Sequence, residues 1–152
     1  MSNQASVKRF HEQAEKLREE DKHEEALQLL EAVISAYQKE GNYIGVAKAL
    51  QSRVLTYKHK FLLTGDLSFV DSAYADAGAS LRVAVEHGLT DVVPSCYFRL
   101  GEIAMIRRQY SDAVEYYRKA LEQYTGSQAE KGDYLYHLGE ALYRSGDNEA
   151  GK

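Results

Sequence analysis

The sequence predicts an all-α protein built of antiparallel helix hairpins, and three observations carry that prediction. Apolar and small residues step by three and four along most of the chain, which is the helical period. A single proline in 152 residues leaves those periodic runs unbroken. A spacing of anchors also recurs: Ala26, Leu30 and Val33; Ala77, Leu81 and Ala84; Ala113, Tyr117 and Ala120.

Met1–Ser6 is polar and expected to fray. Val7, Phe10, Ala14 and Leu17 then define one helix face. After the polar break Arg18–His23, residues Ala26, Leu27, Leu30, Val33, Ile34 and Tyr37 define a second. Gly41 is a C-cap candidate, because glycine enters the left-handed region without penalty. Tyr43, Val46, Ala47, Leu50, Val54, Tyr57 and Phe61 predict a longer helix ending near Leu63–Asp66. Phe69, Val70, Ala73, Tyr74, Ala77, Leu81, Ala84 and Val85 predict its partner, ending at His87–Gly88. Thr90 or Asp91 is a candidate N-cap for the next helix, with Pro94 in its first turn.

Residues 94–121 hold the clearest hairpin. Tyr97, Leu100, Gly101, Ala104 and Met105 share one face, and Ala113, Tyr117, Ala120 and Leu121 share another. The small residues Gly101 and Ala113 are expected to let the two backbones approach. From Gly132, the residues Leu135, Leu138, Gly139, Leu142 and Tyr143 copy the first of these helices. Ser145–Ala150 copies the turn, so a second helix is expected to be missing: either the helix 132–144 caps the previous hairpin or the chain is cut from a longer protein.

This pattern of aromatic, Leu-Gly, small residue and aromatic resembles the tetratricopeptide repeat. The resemblance implies an α-solenoid, a right-handed superhelix of about 3.5 repeats. The units would be 7–40, 42–88 (elongated), 94–124 and 132–152 (incomplete), within one domain. The anchors Ala26, Ala77 and Ala113 lie 51 and 36 residues apart, so the second unit is longer than the usual period of about 34. Around Thr64–Tyr74 the chain also resembles the long-armed repeats beside bacterial CHAT domains, which points to a bacterial source.

Little in the sequence supports chemistry. The one cysteine, Cys96, allows no internal disulfide and suits a reducing compartment. No secretory leader or membrane-spanning run is evident, so a cytoplasmic location is expected. Net charge −4 gives no attraction to nucleic acid or to an anionic membrane. His11, His23, His59, His87 and His137 show no metal-ligand spacing, and no phosphate-binding glycine loop occurs. His23 is read as a packing residue at its turn. No catalytic residue, cofactor or metal is therefore expected. Tyr116, Tyr134 and Tyr136 fall off the core face and are candidates either to line a groove or to pack between repeats.

The resemblance implies a non-catalytic scaffold whose first helices line a concave groove for a peptide or helix. Carried over position by position, the groove residues are Lys8, His11, Glu15, Ile44, Lys48, Gln51, Phe98, Glu102, Met105, Tyr136, Glu140 and Tyr143. Glu15, Glu102 and Glu140 stand where a carboxylate clamp would need cations, which argues against acidic chaperone tails as ligands. Self-association as a homodimer through the C-terminal unit, or service as an N-terminal regulatory domain of a larger protein, are the alternatives.

Overall fold

In the computed structural model, the backbone is described for residues 3–150 and the side chains for residues 6–146. The described residues form seven helices and no strand: α1 (Asn3–Glu19), α2 (His23–Lys39), α3 (Tyr43–Thr64), α4 (Ser68–Glu86), α5 (Val93–Ile106), α6 (Tyr110–Gln123) and α7 (Gln128–Ala150). They gather into two compact units, Met1–Gly88 and Leu89–Lys152.

In the first unit α1 packs on α2, α2 on α3 and α3 on α4. Ala26, Leu30, Val33, Val46, Ala47 and Val54 are fully enclosed. The turn from α1 to α2 closes with Lys22 N–H on the Leu17 carbonyl and Asp21 N–H on that of Arg18. This double bond pattern needs a left-handed residue, and Asp21 supplies it at φ 62°. Gly41, at φ 69°, closes α2 in the same way. The long pair α3–α4 is pinned at two points. Ser80 Oγ donates to the Ala47 carbonyl at 2.9 Å. Arg53 clasps Asp76 with Nε–Oδ2 at 2.7 Å and Nη2–Oδ1 at 2.8 Å.

The second unit repeats the first turn. Gln109 N–H bonds the Ala104 carbonyl and Arg108 N–H bonds that of Met105, with Arg108 at φ 59°. Asp21 and Arg108 each stand seven residues after the small residue of the first helix and five before the anchor alanine of the second. The two hairpins are thus built in one register. Ala113, Tyr117 and Ala120 are buried as expected, and so is Cys96.

Several expectations change. Phe10 is half exposed, Val85 largely exposed, and Tyr43 and Tyr74 also open to solvent, rather than in the core. Helix α5 is capped by Val92 with no side-chain bond, not by Thr90 or Asp91. Helix α7 begins at Gln128 and continues through Ser145–Ala150, in place of the expected turn. A turn exposes carbonyls that a following helix repays by packing. Continuing the helical ladder through Gly146 satisfies those groups within α7 itself. The expected fraying of Met1–Ser6 lies partly outside the described residues, and α1 already begins at Asn3.

Candidate interaction surfaces

In the first unit, the faces of α1 and α3 carry a polar network. His11 Nε2 lies 2.8 Å from Ser52 Oγ, and Ser52 Oγ lies 2.9 Å from Glu15 Oε1. Arg18 Nη2 donates to the other Glu15 oxygen at 2.7 Å. A carboxylate only accepts, so the serine proton goes to Glu15 and His11 must donate through Nε2. Its Nδ1 then accepts from the Tyr37 hydroxyl at 3.4 Å. With a neutral imidazole, every proton then runs one way along the chain Tyr37, His11, Ser52, Glu15. Burial pulls the His11 pKa below its ordinary 6.5, against the raising effect of Glu15 and Glu12.

The same network bears on chemistry. A serine nucleophile needs a histidine that accepts its proton. Ser52 instead receives a bond from His11 and is only 4% exposed. The cluster is a structural tie between α1, α2 and α3. Among the described residues, no group of three or more His, Cys, Asp or Glu side chains could hold a metal ion.

Around this tie, Lys8, Ile44 and Lys48 are exposed, while His11, Glu15 and Gln51 are half-buried. Ile44 is an apolar side chain 48% open, one helical turn from the exposed Lys48. The outer side of α1 and α2 forms a separate apolar cleft of about 350 Å³, lined by Val7, Phe10, Leu29, Ala32, Val33 and Ala36.

In the second unit, Phe98 is not on an open face. It stacks on Tyr134 with ring centroids 4.6 Å apart and meets the edge of His137 at 5.0 Å. Tyr134, read from the sequence as a groove tyrosine, is 4% exposed. Both belong to the core, because α7 turns its Tyr134–Leu138–Ala141 side toward α5 and α6. Tyr116 is half-buried against the same core. Burial raises the Tyr134 and Tyr117 hydroxyls far above the ordinary value of 10.0.

Glu102 is half-buried and paired with Arg99. Met105 and Glu140 help to line a cleft of about 290 Å³ with Ile106, Arg108, Tyr110 and Arg144. Tyr136 and Tyr143 project from α7, 67% and 70% exposed. The twelve carried-over positions therefore divide. Lys8, Ile44, Lys48, Tyr136 and Tyr143 are open, Phe98 is core, and the rest are half-buried.

Sequence reasoning missed Ser52, Tyr37 and Asp76 as polar partners. Their bonds join residues 23 to 41 positions apart, and no local spacing marks them. His23 was legible: it is buried at its turn, with its ring 6.2 Å from that of His59.

Paired antiparallel helices closed by identical turns define a helical-hairpin repeat protein. Residues 94–127, spanning α5 and α6, match the tetratricopeptide repeat and are such a repeat. Among solved structures, the chain is similar to BtubC (BKLC) from P. vanneervenii, at 23% identity and a TM-score of 0.46. That similarity covers 91% of this chain but 64% of the other. No curated protein matches the chain. Tetratricopeptide repeats are generally protein-interaction modules and typically not catalytic, and no helix of the described residues is long and apolar enough to cross a membrane.

Proposed function

We propose that the chain is a non-catalytic scaffold that binds a peptide or helix on the faces of its first helices, α1 with α3 in one unit and α5 with α7 in the other. The observation that carries this reading is the exposure of Ile44, Tyr136 and Tyr143 at first-helix positions. Large apolar side chains left open among polar ones mark interaction surfaces. Tyrosine suits such a surface because its ring is apolar and its hydroxyl polar. Lys8 and Lys48 supply charge and register.

The ligand is not an acidic chain terminus. A clamp for a carboxylate needs free cations. Lys8 and Lys48 are open on these faces, but Glu15, Glu102 and Glu140 stand where the clamp would need its further cations, and Arg18 and Arg99 are already bonded to Glu15 and Glu102.

Selection from a random peptide display library tests the reading. The expected result is a family of sequences whose binding to the purified chain drops on Lys48→Glu, Ile44→Glu or Tyr136→Ala. An acidic C-terminal peptide is expected to show no micromolar affinity in titration. Selected peptides indifferent to all three substitutions, or tight binding of the acidic peptide, would overturn the proposal.

A further inference from the structure

In the second unit, the α5–α6 turn and α7 enclose the cleft of about 290 Å³. Three charged side chains line it, and none is compensated within the chain. Arg108 and Glu140 make no side-chain hydrogen bond or ion pair with a described residue. Arg144 makes only a stacking contact, its guanidinium 6.0 Å over the Tyr110 ring. A guanidinium lying on a ring keeps its in-plane N–H groups open to a further partner. Arg18, Arg53 and Arg99, by contrast, are each bonded to a carboxylate.

The backbone at Arg108 adds a second observation. Its φ of 59° is costly for a long side chain. The matching turn of the first unit carries Asp21 at this place, and aspartate enters the region more cheaply. No bond of the Arg108 side chain to a described residue offsets the difference. A strained residue whose charged side chain lines a cleft and bonds nothing beside it points to a ligand. The cleft also continues the face proposed above, because Tyr136, Glu140, Tyr143 and Arg144 lie on one side of α7.

We infer that this face selects a peptide segment that sets an acidic side chain and a basic one beside an apolar residue. The acid lies between Arg108 and Arg144, whose planar guanidinium groups match a carboxylate. The base meets Glu140, and the apolar residue rests on Met105 and Ile106. Ligand and cleft are then complementary charge by charge. A run of acids alone fits less well, because its next carboxylate would meet Glu140. An acidic chain terminus is therefore excluded here as well.

The inference rests on the peptide-binding reading and names the ligand chemistry of its second unit. A random peptide display library is selected on the full chain and counter-selected on the double variant Arg108→Gly with Arg144→Ala. The glycine relaxes the left-handed turn and Arg144 is exposed, so this variant is expected to melt no lower than the parent. The surviving peptides are expected to be enriched, over the unselected library, in Asp or Glu with Lys or Arg within about four positions. By fluorescence anisotropy, such a peptide binds the double variant about tenfold more weakly than the parent. Exchanging its acid for the amide causes a similar loss on the unaltered chain, a measurement that does not depend on how the variant folds. Glu140→Gln removes the preference for the base and keeps that for the acid. Lys48→Glu leaves the binding unchanged. No survivors of the counter-selection, survivors without the acid, or binding indifferent to the amide exchange overturns the inference. If peptides lost on Tyr136→Ala are recovered in that case, the peptide-binding reading stands and this inference alone falls. A selection on the parent that returns no peptide overturns both.

Discussion

The ring of Tyr117 lies on the backbone of Gly101, and Tyr37 lies on Gly45 in the same way, where a Cβ on the glycine would meet the ring carbons at 2.6–2.8 Å. The glycines serve here as seats for tyrosine rings, more specifically than as a means of bringing two backbones together. Gly101→Ala and Gly45→Ala each push a methyl group into an aromatic ring that is itself enclosed. Overpacking of this kind costs about 1–3 kcal/mol. Gly139→Ala, in open space within a helix, gains about 0.5–1 kcal/mol by removing unfolded-state freedom. Denaturant midpoints are expected to move in opposite directions for Gly101→Ala and Gly139→Ala. Equal shifts would show that the glycines act only through helix propensity.

The two matching turns store strain at Asp21 and Arg108, both left-handed. Aspartate tolerates that region better than arginine does. Arg108→Gly is therefore expected to stabilise the chain by about 1 kcal/mol, and Asp21→Gly by less. Thermal melts of the two variants beside the parent would decide it. A destabilised Arg108→Gly would mean that the side chain contributes more than its backbone costs.

The hairpin registers were legible in the sequence because small residues there have few substitutes: Ala26, Ala77 and Ala113 are all fully enclosed. What the sequence left ambiguous was α7. It has two apolar sides, Leu135–Tyr136–Gly139–Leu142–Tyr143 and Tyr134–Leu138–Ala141. Matching glycines align the first side with α5. Periodicity alone does not say which side meets α6, and it is the second that does. The polar ties escaped for another reason. Glu15 and Ser52 are 37 positions apart and become neighbours only once three helices have packed.

Arg53 and Asp76 hold α3 to α4 through two short parallel bonds, and Asp76 is 7% exposed. Removing one partner leaves the other charge with little water. Asp76→Ala is expected to cost about 3 kcal/mol. The double replacement Arg53→Met with Asp76→Leu should recover most of that loss, because neither charge then remains. If the double variant is as unstable as the single one, the pair's value lies in its geometry.

His11 links stability to pH. Burial lowers its folded pKa, Lys48 on α3 adds to that, and Glu15 and Glu12 on its own helix oppose it; Tyr37 on α2 and Ser52 on α3 hold its two nitrogens. His59 is shifted the same way, by burial and then by Arg18, Lys58 and His23. Well above pH 6.5 the ring is neutral in both states and contributes no pH dependence. As pH falls below 6.5 the unfolded chain takes the proton first, so stability declines until the folded pKa is passed, then levels. Unfolding midpoints between about pH 7.5 and 5 should show this slope, reduced in His11→Gln. A slope unchanged by His11→Gln would assign it to His59 or to carboxylates.

Phe98 and Tyr136 separate packing from binding. Phe98 is enclosed by Tyr134, Tyr117 and His137, so Phe98→Ala opens a cavity and costs about 3–5 kcal/mol. Tyr136 is two-thirds exposed, and Tyr136→Ala should leave the melting curve within about 0.5 kcal/mol of the parent. On the proposed reading, only Tyr136→Ala then weakens a selected peptide while the fold is intact. Any loss in Phe98→Ala should follow the fraction unfolded and vanish at low temperature, where that variant is folded. A Phe98→Ala protein that is as stable as the parent yet fails to bind would return Phe98 to an open face, and would contradict the packing of α7 over α5.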